Sequence, residues 1–435
     1  MVGEAKAGDK VEVMYQGKTH VGILMQRPGL APSGIVTLKL ASGYDIGLVE
    51  SKVESVRVLE SSMAMKRHTG GDVSSEPSLP TVSILSTGGT IASKVDYRTG
   101  GVYAASSASD LLESMPELSR LANIRTDSVM NVMSEDMNPK LWVKIAHAVA
   151  KELNGGVDGV VVTHGTDTMG YSAAALSFML RGLGKPVVLT GAQRSTDRGS
   201  ADSFLNLACA VAFAKSDYAG VYLVMHGSMS DSFCLAHRGT KVRKMHTTRR
   251  DAFRSVNSSP VARILPDGKI EPLSSGLPQR SESTVSVDAN LEEKVALVKA
   301  YPGMDPGILD YHLKKGVRGV VIEGTALGHV PTTIKETSLI PGIEKLISSG
   351  VLVAMTTQCL FGRVNPYVYS NLREVSSKGV VYCEDMLPET AYAKMIWALG
   401  KSRNVQAAKS LMLQNIAGEI TTRTEADESS ADLML

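Results

Sequence analysis

The sequence predicts an α/β protein in three parts: a small N-terminal β-barrel, a large domain built on a doubly wound parallel sheet, and a smaller C-terminal α/β domain. Short β-rich runs fill the first 60 residues. From residue 81 onward, continuous Val/Ile/Leu runs alternate with helical stretches. Such continuous runs are typical of parallel strands that helices cover on both faces. The 435 residues are enough for roughly two to four domains of ordinary size.

Residues 1–60 predict the small barrel, of SH3-like or OB-like size. Five short β-rich runs alternate with turns, and they read VEVMY, HVGILMQ, GIVTLKL, DIGLVE and VESVRVL. The charges of residues 1–80 balance, with nine Lys/Arg and nine Asp/Glu. Because no basic face is visible in that count, we favour a docking or spacer module over an RNA-binding one.

Changes in composition predict the remaining boundaries. Residues 61–80 are polar and rich in Gly, Ser and Pro, which is typical of a linker. The large domain then spans 81–280, and the polar stretch PLSSGLPQRSEST separates it from a small domain over 285–415. Residues 416–435 predict an acidic tail, of which the polar stretch TTRTEADESSADLML is expected to be mobile.

Uninterrupted apolar runs predict the strands of the two larger domains. They are TVSILS, GVVVT, PVVLT and VYLVM in the large domain, and VALVKA, GVVIE, VLVAMT and GVVYC in the small one. A helix is predicted from Asn138 to Leu153. There Asn138 can cap, Pro139 suits the first helical position, and apolar residues repeat along one face.

Composition argues against several classes of function. The net charge of +2 and the aromatic content of 5% disfavour a polycationic nucleic-acid coat and a base-stacking platform. No apolar run approaches the ~20 residues of a membrane-spanning helix. The N-terminus lacks a signal peptide's apolar stretch, and the four cysteines form no zinc-type spacing. We therefore expect a cytoplasmic protein without a structural metal.

Small, hydroxyl-rich turns follow three of the predicted strands. They are TGGTI (87–91), HGTDT (164–168) and GAQR (191–194). Ligands bind outside the carboxyl ends of parallel strands, and glycines there let the backbone approach a substrate closely. A threonine hydroxyl can act as a nucleophile when a base is near. One TGG alone would indicate only a tight turn, but two threonine motifs at strand ends favour a catalytic site.

Two residues could be mistaken for catalytic groups. His164 could serve as a general base, or it could merely pack and orient its loop. No GxSxG motif is present to support a Ser–His–Asp hydrolase. Cys209 lies in an apolar helical run and is predicted to be a core residue. Neither GxxxxGK[ST] nor GxGxxG follows a strand, so no nucleotide site is predicted in this chain.

A basic stretch offers further candidates for the base. Residues 237–254 contain seven Lys/Arg and one Asp, which is also the pattern of a solvated surface or a nucleic-acid contact strip. A partly desolvated lysine held against Asp167 could take a proton from Thr166. The residues alone do not choose between Lys241, Lys244 and the arginines.

Five motifs together carry a resemblance to a known family. In chain order they are TGGTI (87–91), SEDM (134–137), HGTDTM (164–169), TGAQR (190–194) and TKVRKMHT (240–247). In this order, residues 81–435 resemble the bacterial-type L-asparaginase/glutaminase amidohydrolases. The resemblance implies a large and a small α/β domain, a homodimer through these asparaginase-like domains, and a site built on two threonines.

The resemblance also implies the roles of individual residues. The implied catalytic residues are Thr87, Thr166, Asp167, Lys244 and Tyr103. Thr87 would attack the side-chain amide carbon, with a nearby tyrosine assisting it; Tyr103 fits that position better than Tyr97. If Lys244 is the base, we expect Lys244→Met to abolish activity and Lys241→Met to be mild.

Substrate-binding residues are implied in the same way. They are Gly88, Ser134, Glu135, Gly165, Ala192 and Glu374, and no metal is implied. Glu135 stands where the family has glutamine, and a carboxylate there could still accept from a substrate ammonium group. Glu374, in the small domain, is implied to reach the site of the neighbouring protomer.

The N-terminal module and the glutamate of SEDM together resemble the glutaminase subunits of archaeal tRNA-dependent amidotransferases. That resemblance implies a chain that hydrolyses Gln to Glu and ammonia for a partner, the E subunit of the amidotransferase, in a heterotetramer. The partner would use ATP and Mg to convert Glu-tRNA(Gln) to Gln-tRNA(Gln), while this chain would bind no cofactor. Residues 93–106 would be a loop that closes on assembly. A free-standing L-asparaginase and a non-catalytic binding protein with the same fold remain the alternatives.

Overall fold

The computed structural model describes residues 5–6, 8–25, 34–40, 45–60, 76–88, 93–95, 102–104, 116–194 and 201–424. In these ranges it confirms the three-part α/β class. The first part is a β-rich module, the second contains an eight-stranded sheet, and the third contains a four-stranded parallel sheet.

The N-terminal module is one antiparallel sheet of five strands, and all five were predicted. The strands are β1 (Lys10–Tyr15), β2 (Lys18–Met25), β3 (Ile35–Leu40), β4 (Asp45–Val49) and β5 (Val53–Glu60). They are paired in the order β4-β3-β2-β1-β5. Alternate apolar residues such as Val11 and Val13 are fully buried, which is the pattern of a sheet with one face on a core.

The large sheet combines a parallel part with an antiparallel edge. Its parallel strands are β6 (Thr81–Ser86), β9 (Asn123–Ser128), β10 (Gly159–Thr163), β12 (Pro186–Thr190) and β13 (Gly220–His226). The antiparallel strands are β14 (Cys234–Arg238), β17 (Ala262–Ile264) and β18 (Ile270–Pro272). The sheet order is β18-β17-β14-β13-β12-β10-β6-β9. Sequence reasoning missed β9 because this edge strand is polar and partly exposed, and it missed β17 and β18 because each has only three residues.

Three two-stranded pairs complete the strands of the described large domain. They are β7 (Ser93–Val95) with β8 (Val102–Ala104), β11 (Leu180–Arg181) with β19 (Ser286–Val287), and β15 (Val242–Lys244) with β16 (Phe253–Ser255). The β15–β16 hairpin carries the predicted basic stretch.

Helices cover both faces of the large sheet, as a doubly wound domain requires. The helices are α1 (Pro139–Asn154), α2 (Met169–Met179) and α3 (Ser203–Ala214). The α1 helix begins as predicted, because the Asn138 side chain accepts a hydrogen bond from the Leu141 amide. Along β10 the side chains alternate: Val160 and Val162 enter the core with α1 and α2, while Val161 enters the core with α3.

The small domain is a parallel sheet with five helices. Its strands are β20 (Val295–Lys299), β21 (Gly319–Gly324), β22 (Leu352–Thr357) and β23 (Val381–Tyr382), in that order. The helices are α4 (Gly307–Lys314), α5 (Ile340–Ser348), α6 (Ser370–Ser377), α7 (Pro388–Lys401) and α8 (Val405–Leu413). Phe178 of α2 stacks on Trp397 of α7 with ring centroids 5.9 Å apart, so the two domains share one core.

The predicted acidic tail begins too early. Residues 416–421 are buried or half-buried against the body, where Glu419 is fully buried and lies 2.5 Å from the ammonium of buried Lys394. An acidic composition does not distinguish a solvated tail from a segment whose acid pairs with a buried lysine. Residues 425–435 lie outside the described ranges, as do residues 61–75 of the predicted linker.

The last residues of the linker are attached to the large domain. The Asn123 side chain donates to the carbonyls of Glu76 and Leu79, each at 2.8 Å. Within the ranges that the structure describes, no helix has both the length and the hydropathy that crossing a bilayer requires.

Candidate active site

The three predicted turns lie side by side at one edge of the large sheet. Thr163 at the end of β10 is paired with Ser86 of β6 and with Thr190 of β12. The ladder continues one step further, because the Thr87 amide donates to the Thr163 carbonyl at 3.0 Å and the His164 amide donates to the Thr190 carbonyl at 2.9 Å. Parallel pairing therefore brings together motifs that are far apart in sequence.

Thr87 is almost completely buried at this edge. Its hydroxyl donates to the Thr163 carbonyl at 2.9 Å. Gly88 follows with φ of +102°, and a Cβ there would lie 2.6 Å from the Val132 carbonyl oxygen. Only glycine fits this backbone and this space. Residues 89–91, the rest of the first motif, lie outside the described residues.

Gly165 lets the SEDM segment lie against the second motif. A Cβ on Gly165 would be 2.6 Å from the Ser134 Cβ, and the Thr168 hydroxyl donates to the Ser134 carbonyl at 2.6 Å. Ser134 is buried beside the turn, whereas the next residue, Glu135, is exposed. The structure thus joins these two predicted substrate-binding motifs, with a carboxylate at their solvent side.

Thr166, Asp167 and Lys244 form one hydrogen-bonded unit. The Lys244 Nζ donates to the Thr166 Oγ1 at 2.9 Å and to the Asp167 Oδ1 at 2.7 Å. The lysine side chain is 15% exposed and the aspartate side chain 66% exposed. The lysine is thus mostly withdrawn from water, although its partner is not. Among the candidates that the basic stretch left open, Lys244 is the one that meets a motif threonine.

The third turn lies against the second. A Cβ on Gly191 would be 2.5 Å from the His164 carbonyl oxygen and 3.0 Å from the Thr166 Cγ2, and Ala192 is buried directly after it. Close contact between the two turns therefore depends on glycine at this position.

Sequence reasoning missed the groups that hold the third turn. The Asp202 carboxylate accepts from the amides of Gln193 and Arg194 at 3.0–3.1 Å. The Asn206 side chain donates to the Gly191 carbonyl and to Asp202, each at 2.9 Å. An aspartate before a helix usually caps that helix, so its position before α3 gave no sign that it binds the turn instead.

His164 is an orienting residue in this structure. Its Nδ1 lies 2.7 Å from the Gly165 carbonyl oxygen, so it must donate there. Its Nε2 lies 2.8 Å from the Ser172 hydroxyl, which in turn accepts from the Trp142 indole at 2.9 Å. Complete burial lowers the pKa of His164 to about 4, since no charged partner compensates the desolvation. The geometry favours the packing alternative over the general base.

Lys241 behaves differently from the sequence-based prediction. Its side chain is fully buried, and its Nζ lies 2.6 Å from the carboxylate of Asp385, which is equally buried. This burial leads us to expect a larger effect of Lys241→Met than the sequence suggested. Removing one member of a buried pair leaves an uncompensated charge and costs about 3–5 kcal/mol.

The remaining predicted residues lie away from this unit or outside the described side chains. Tyr103 is paired with Lys94 across the β7–β8 hairpin, its side chain is not among the described ones, and Tyr97 lies outside the described residues. Parts of the predicted loop 93–106 are thus strand, which its β-branched and aromatic residues favour. Glu374 lies on the exposed side of α6, and its predicted reach into a second protomer stays a prediction.

An open depression of about 490 Å³ lies over the Lys244 unit. It is lined by Asp167, Lys244, Met245, His246 and Thr247. In the described part of the chain, no group of three or more His, Cys, Asp or Glu could hold a metal ion. The carboxyl ends of these neighbouring strands thus carry two threonine hydroxyls, one lysine and one carboxylate. Such a set of groups is suited to acyl transfer by a threonine nucleophile.

Known families match almost the whole chain. Residues 5–59 match the GatD N-terminal domain, residues 81–275 match Asparaginase, N-terminal, and residues 294–412 match the Glutaminase/Asparaginase C-terminal domain. These matches do not define the domain boundaries residue by residue, so the limits predicted from composition stay predictions.

Curated relatives cover the chain from end to end. The D subunit of the glutamyl-tRNA(Gln) amidotransferase of Pyrococcus horikoshii is 52% identical over 423 residues, which is 97% of this chain and 94% of the relative. The corresponding D subunit of Methanothermobacter thermautotrophicus is 49% identical, over 96% of this chain and 94% of the relative.

Solved asparaginase structures resemble the body of the chain. The thermostable L-asparaginase from Thermococcus kodakarensis has a TM-score of 0.69 and 32% identity, and it covers 79% of this chain and 100% of its own. The L-asparaginase I from Vibrio cholerae has a TM-score of 0.67 and 29% identity, and it covers 79% and 99%. The chain belongs to the family of glutamyl-tRNA(Gln) amidotransferase D subunits.

Proposed function

We propose that this chain is the glutaminase subunit of a glutamyl-tRNA(Gln) amidotransferase and hydrolyses glutamine to glutamate and ammonia. The observation that carries the proposal is the contact of the Lys244 Nζ with both Thr166 and Asp167. This contact lies at the carboxyl ends of the parallel strands, where Thr87 also lies. The full-length similarity to D subunits supports the same function. The free-standing asparaginase is less well supported, because the N-terminal module matches the GatD N-terminal domain.

The Thr87 hydroxyl is the proposed nucleophile. Its oxygen forms a bond to the side-chain amide carbon of glutamine, and the proton of the hydroxyl passes to the catalytic unit. The carbon–nitrogen bond then breaks, and the nitrogen leaves as ammonia with a proton returned from that unit. Water hydrolyses the resulting ester, which releases glutamate and restores the hydroxyl. No oxidant, reductant or metal enters this balance.

The second threonine handles protons in this proposal. Lys244 in its neutral form can accept the Thr166 proton along the same 2.9 Å contact, and the Asp167 carboxylate stabilises the resulting ammonium. Lys244 is mostly buried, whereas water reaches the Asp167 carboxylate and screens the pair. Tyr103 is the proposed assistant of Thr87.

The proposed substrate-binding groups surround the same edge. Gly88, Gly165 and Ala192 supply backbone that a substrate can approach, and Ser134 lies beside Gly165. The Glu135 carboxylate at the solvent side would accept hydrogen bonds from the α-ammonium group of glutamine. Glu374 of a second copy would complete the site in a homodimer.

A partner protein is part of the proposal. The chain would pass ammonia to the E subunit of the amidotransferase, which would bind ATP and Mg and amidate Glu-tRNA(Gln). A heterotetramer with two copies of each protein would be the working unit. This chain itself would bind no cofactor and would act in the cytoplasm of an archaeal cell. The balanced charge of the N-terminal module favours a docking role for it within that complex.

Ammonia release from glutamine and asparagine tests the proposal. It is measured for the chain alone, with the E subunit, and with the E subunit plus Glu-tRNA(Gln); Thr87→Val is the negative control in each mixture. We expect glutamine hydrolysis to rise by roughly 5- to 150-fold on full assembly, which is the usual range of coupling between sites. A rapid hydrolysis of asparagine that neither addition changes would favour the free asparaginase instead.

A further inference from the structure

The short strand β15 lies between the two larger domains, and its side chains alternate between them. Lys241 directly precedes this strand, and Arg243 lies on the same side, because strand side chains repeat every second residue. Both cations contact carboxylates of the small domain. Val242 is buried in the core that the two domains share, and Lys244 meets Thr166 and Asp167 of the large domain.

The contacts on the small-domain side are ion pairs. Lys241 pairs with Asp385 at 2.6 Å, with both side chains fully buried. Arg243 pairs with Glu389 at 3.0 Å, with side-chain exposures of 26% and 15%. Asp385 precedes α7 and Glu389 lies in its first turn, so one end of one helix holds the strand that carries the catalytic lysine.

The Asp385 carboxylate is also bound by a third segment. The Thr421 amide donates to its Oδ1 at 2.9 Å, and the Thr421 hydroxyl donates to its Oδ2 at 2.6 Å. The Asn257 side chain, just beyond the β15–β16 hairpin, donates to the Asp385 carbonyl at 2.9 Å. These hydrogen bonds hold the Asp385 carboxylate in one position. Its ion pair with Lys241 then holds the lysine ammonium in place.

We propose that Lys241 and Asp385 are positioning residues, through which the small domain holds Lys244 against Thr166. Lys241 and Lys244 are three residues apart on one short segment. We therefore expect a shift of Lys241 to move Lys244. A displacement of about 1 Å in a catalytic group can cost on the order of 100-fold in rate. The proposal rests on the proposed role of Lys244 in glutamine hydrolysis.

A second buried pair gives a matched control. Lys394 and Glu419 are as buried as Lys241 and Asp385, and they also join the small domain to the C-terminal segment. Lys394 lies in the middle of α7 and contacts the carbonyls of Met412 and Gln414 rather than β15. Removing the lysine of either pair leaves a buried carboxylate without its cation, so the two changes should destabilise the fold alike.

The experiment compares Lys241→Met, Asp385→Asn and Lys394→Met in the full chain. Each variant is assayed for ammonia release from glutamine with the E subunit and Glu-tRNA(Gln), at a temperature at which melting curves show it to be folded. We expect kcat to fall about 10- to 100-fold in the first two variants with little change in KM, because a displaced base acts on the chemical step. Lys394→Met should keep the kcat of the wild type while its Tm falls by a similar amount.

A second readout does not depend on glutaminase activity. Limiting acetic anhydride is added to each folded variant, and the acetylated fraction of Lys244 is measured by mass spectrometry. Lys244 should react faster in Lys241→Met and Asp385→Asn than in the wild type and Lys394→Met, because its Nζ no longer rests on Thr166. Equal acetylation and equal kcat in all three variants would overturn the positioning role. Faster acetylation in a chain without glutaminase activity would uphold it while the proposed function fails.

Discussion

Two parallel sheets in this molecule have the same construction and different uses. Strands β6, β10 and β12 of the large domain and strands β20 to β23 of the small domain are both apolar runs buried between helices. At the carboxyl ends in the large domain, the Thr166 hydroxyl meets a lysine that also binds a carboxylate, and the Thr87 hydroxyl lies at the end of the neighbouring strand. At those in the small domain, Thr357 and Gln358 donate to backbone carbonyls of neighbouring segments.

In both domains the parallel strands provide a place for a site at their carboxyl ends. The residues that follow each strand determine whether a site forms there. In the large domain, Gly88 and Gly165 allow the 131–134 segment to lie against the first two turns, and Gly191 allows the third turn to contact the second. In the small domain, the acids after the last strand, Asp385 and Glu389, bind the cations beside Lys244. In our two proposals, one sheet carries the chemistry and the other holds it in place.

The largest expected effect is a loss of activity without a loss of the fold, caused by removing the proposed nucleophile. Thr87→Val should lower the rate of glutamine hydrolysis by about 10⁴-fold or more, because it removes the attacking oxygen. The fold should survive with a loss of about 1 kcal/mol, since the Thr163 carbonyl keeps its bond from the residue-87 amide. Ammonia release and a melting curve measure the two quantities. Wild-type activity in a folded variant would remove Thr87 from the mechanism.

The next effect compares two lysines that are three residues apart. Lys244→Met should lower activity by about 10²- to 10⁴-fold, the usual contribution of a general acid or base. Its stability should change by less than about 1 kcal/mol, because the Asp167 partner is largely exposed. Lys241→Met should instead destabilise the fold by about 3–5 kcal/mol. Equal losses of stability in a urea titration would contradict this contrast.

A third effect is a dependence of stability on pH. His164 is held neutral, with its pKa lowered from 6.5 to about 4. As the pH falls below 6.5, the unfolded chain takes up a proton before the folded chain does, so stability is lost down to about pH 4. This histidine should account for about 3 kcal/mol between pH 7 and pH 4. Urea unfolding across that range measures it, and His164→Gln should flatten the decline. An unchanged decline would assign it to other groups.

The smallest effect tests the close contact between the second turn and the SEDM segment. Gly165→Ala places a Cβ against Ser134 and should cost about 1–3 kcal/mol, together with a loss of activity, because the backbone must move. Gly156→Ala is the control: it has φ of +88° but open space around it, so it strains the backbone without moving the site. Both variants are compared by melting curves and ammonia release. Similar activities would show that the contact with Ser134 is not needed.

The sequence predicted every parallel strand of the two larger sheets except β9, and the three turns, because continuous apolar runs and glycine-hydroxyl motifs are local signals. It left the choice among the basic residues open and misjudged Lys241, since a charge pattern does not reveal which cation meets Asp385, more than 140 residues away. For the same reason it assigned Glu419 to an acidic tail. Burial of a charge depends on its partner, and tertiary contacts alone decide the partner.

The most direct test of the central claim is the identity of the nucleophile. A diazoketone analogue of glutamine, which alkylates an attacking side chain, is incubated with the full chain, and the modified residue is mapped by mass spectrometry. The proposed mechanism predicts a single adduct on Thr87, blocked by glutamine and absent from Thr87→Val. Cys359 is the exposed residue among the four cysteines and offers the obvious competing nucleophile. An adduct on Cys359 that glutamine blocks, with Thr87 unmodified, would contradict the threonine mechanism.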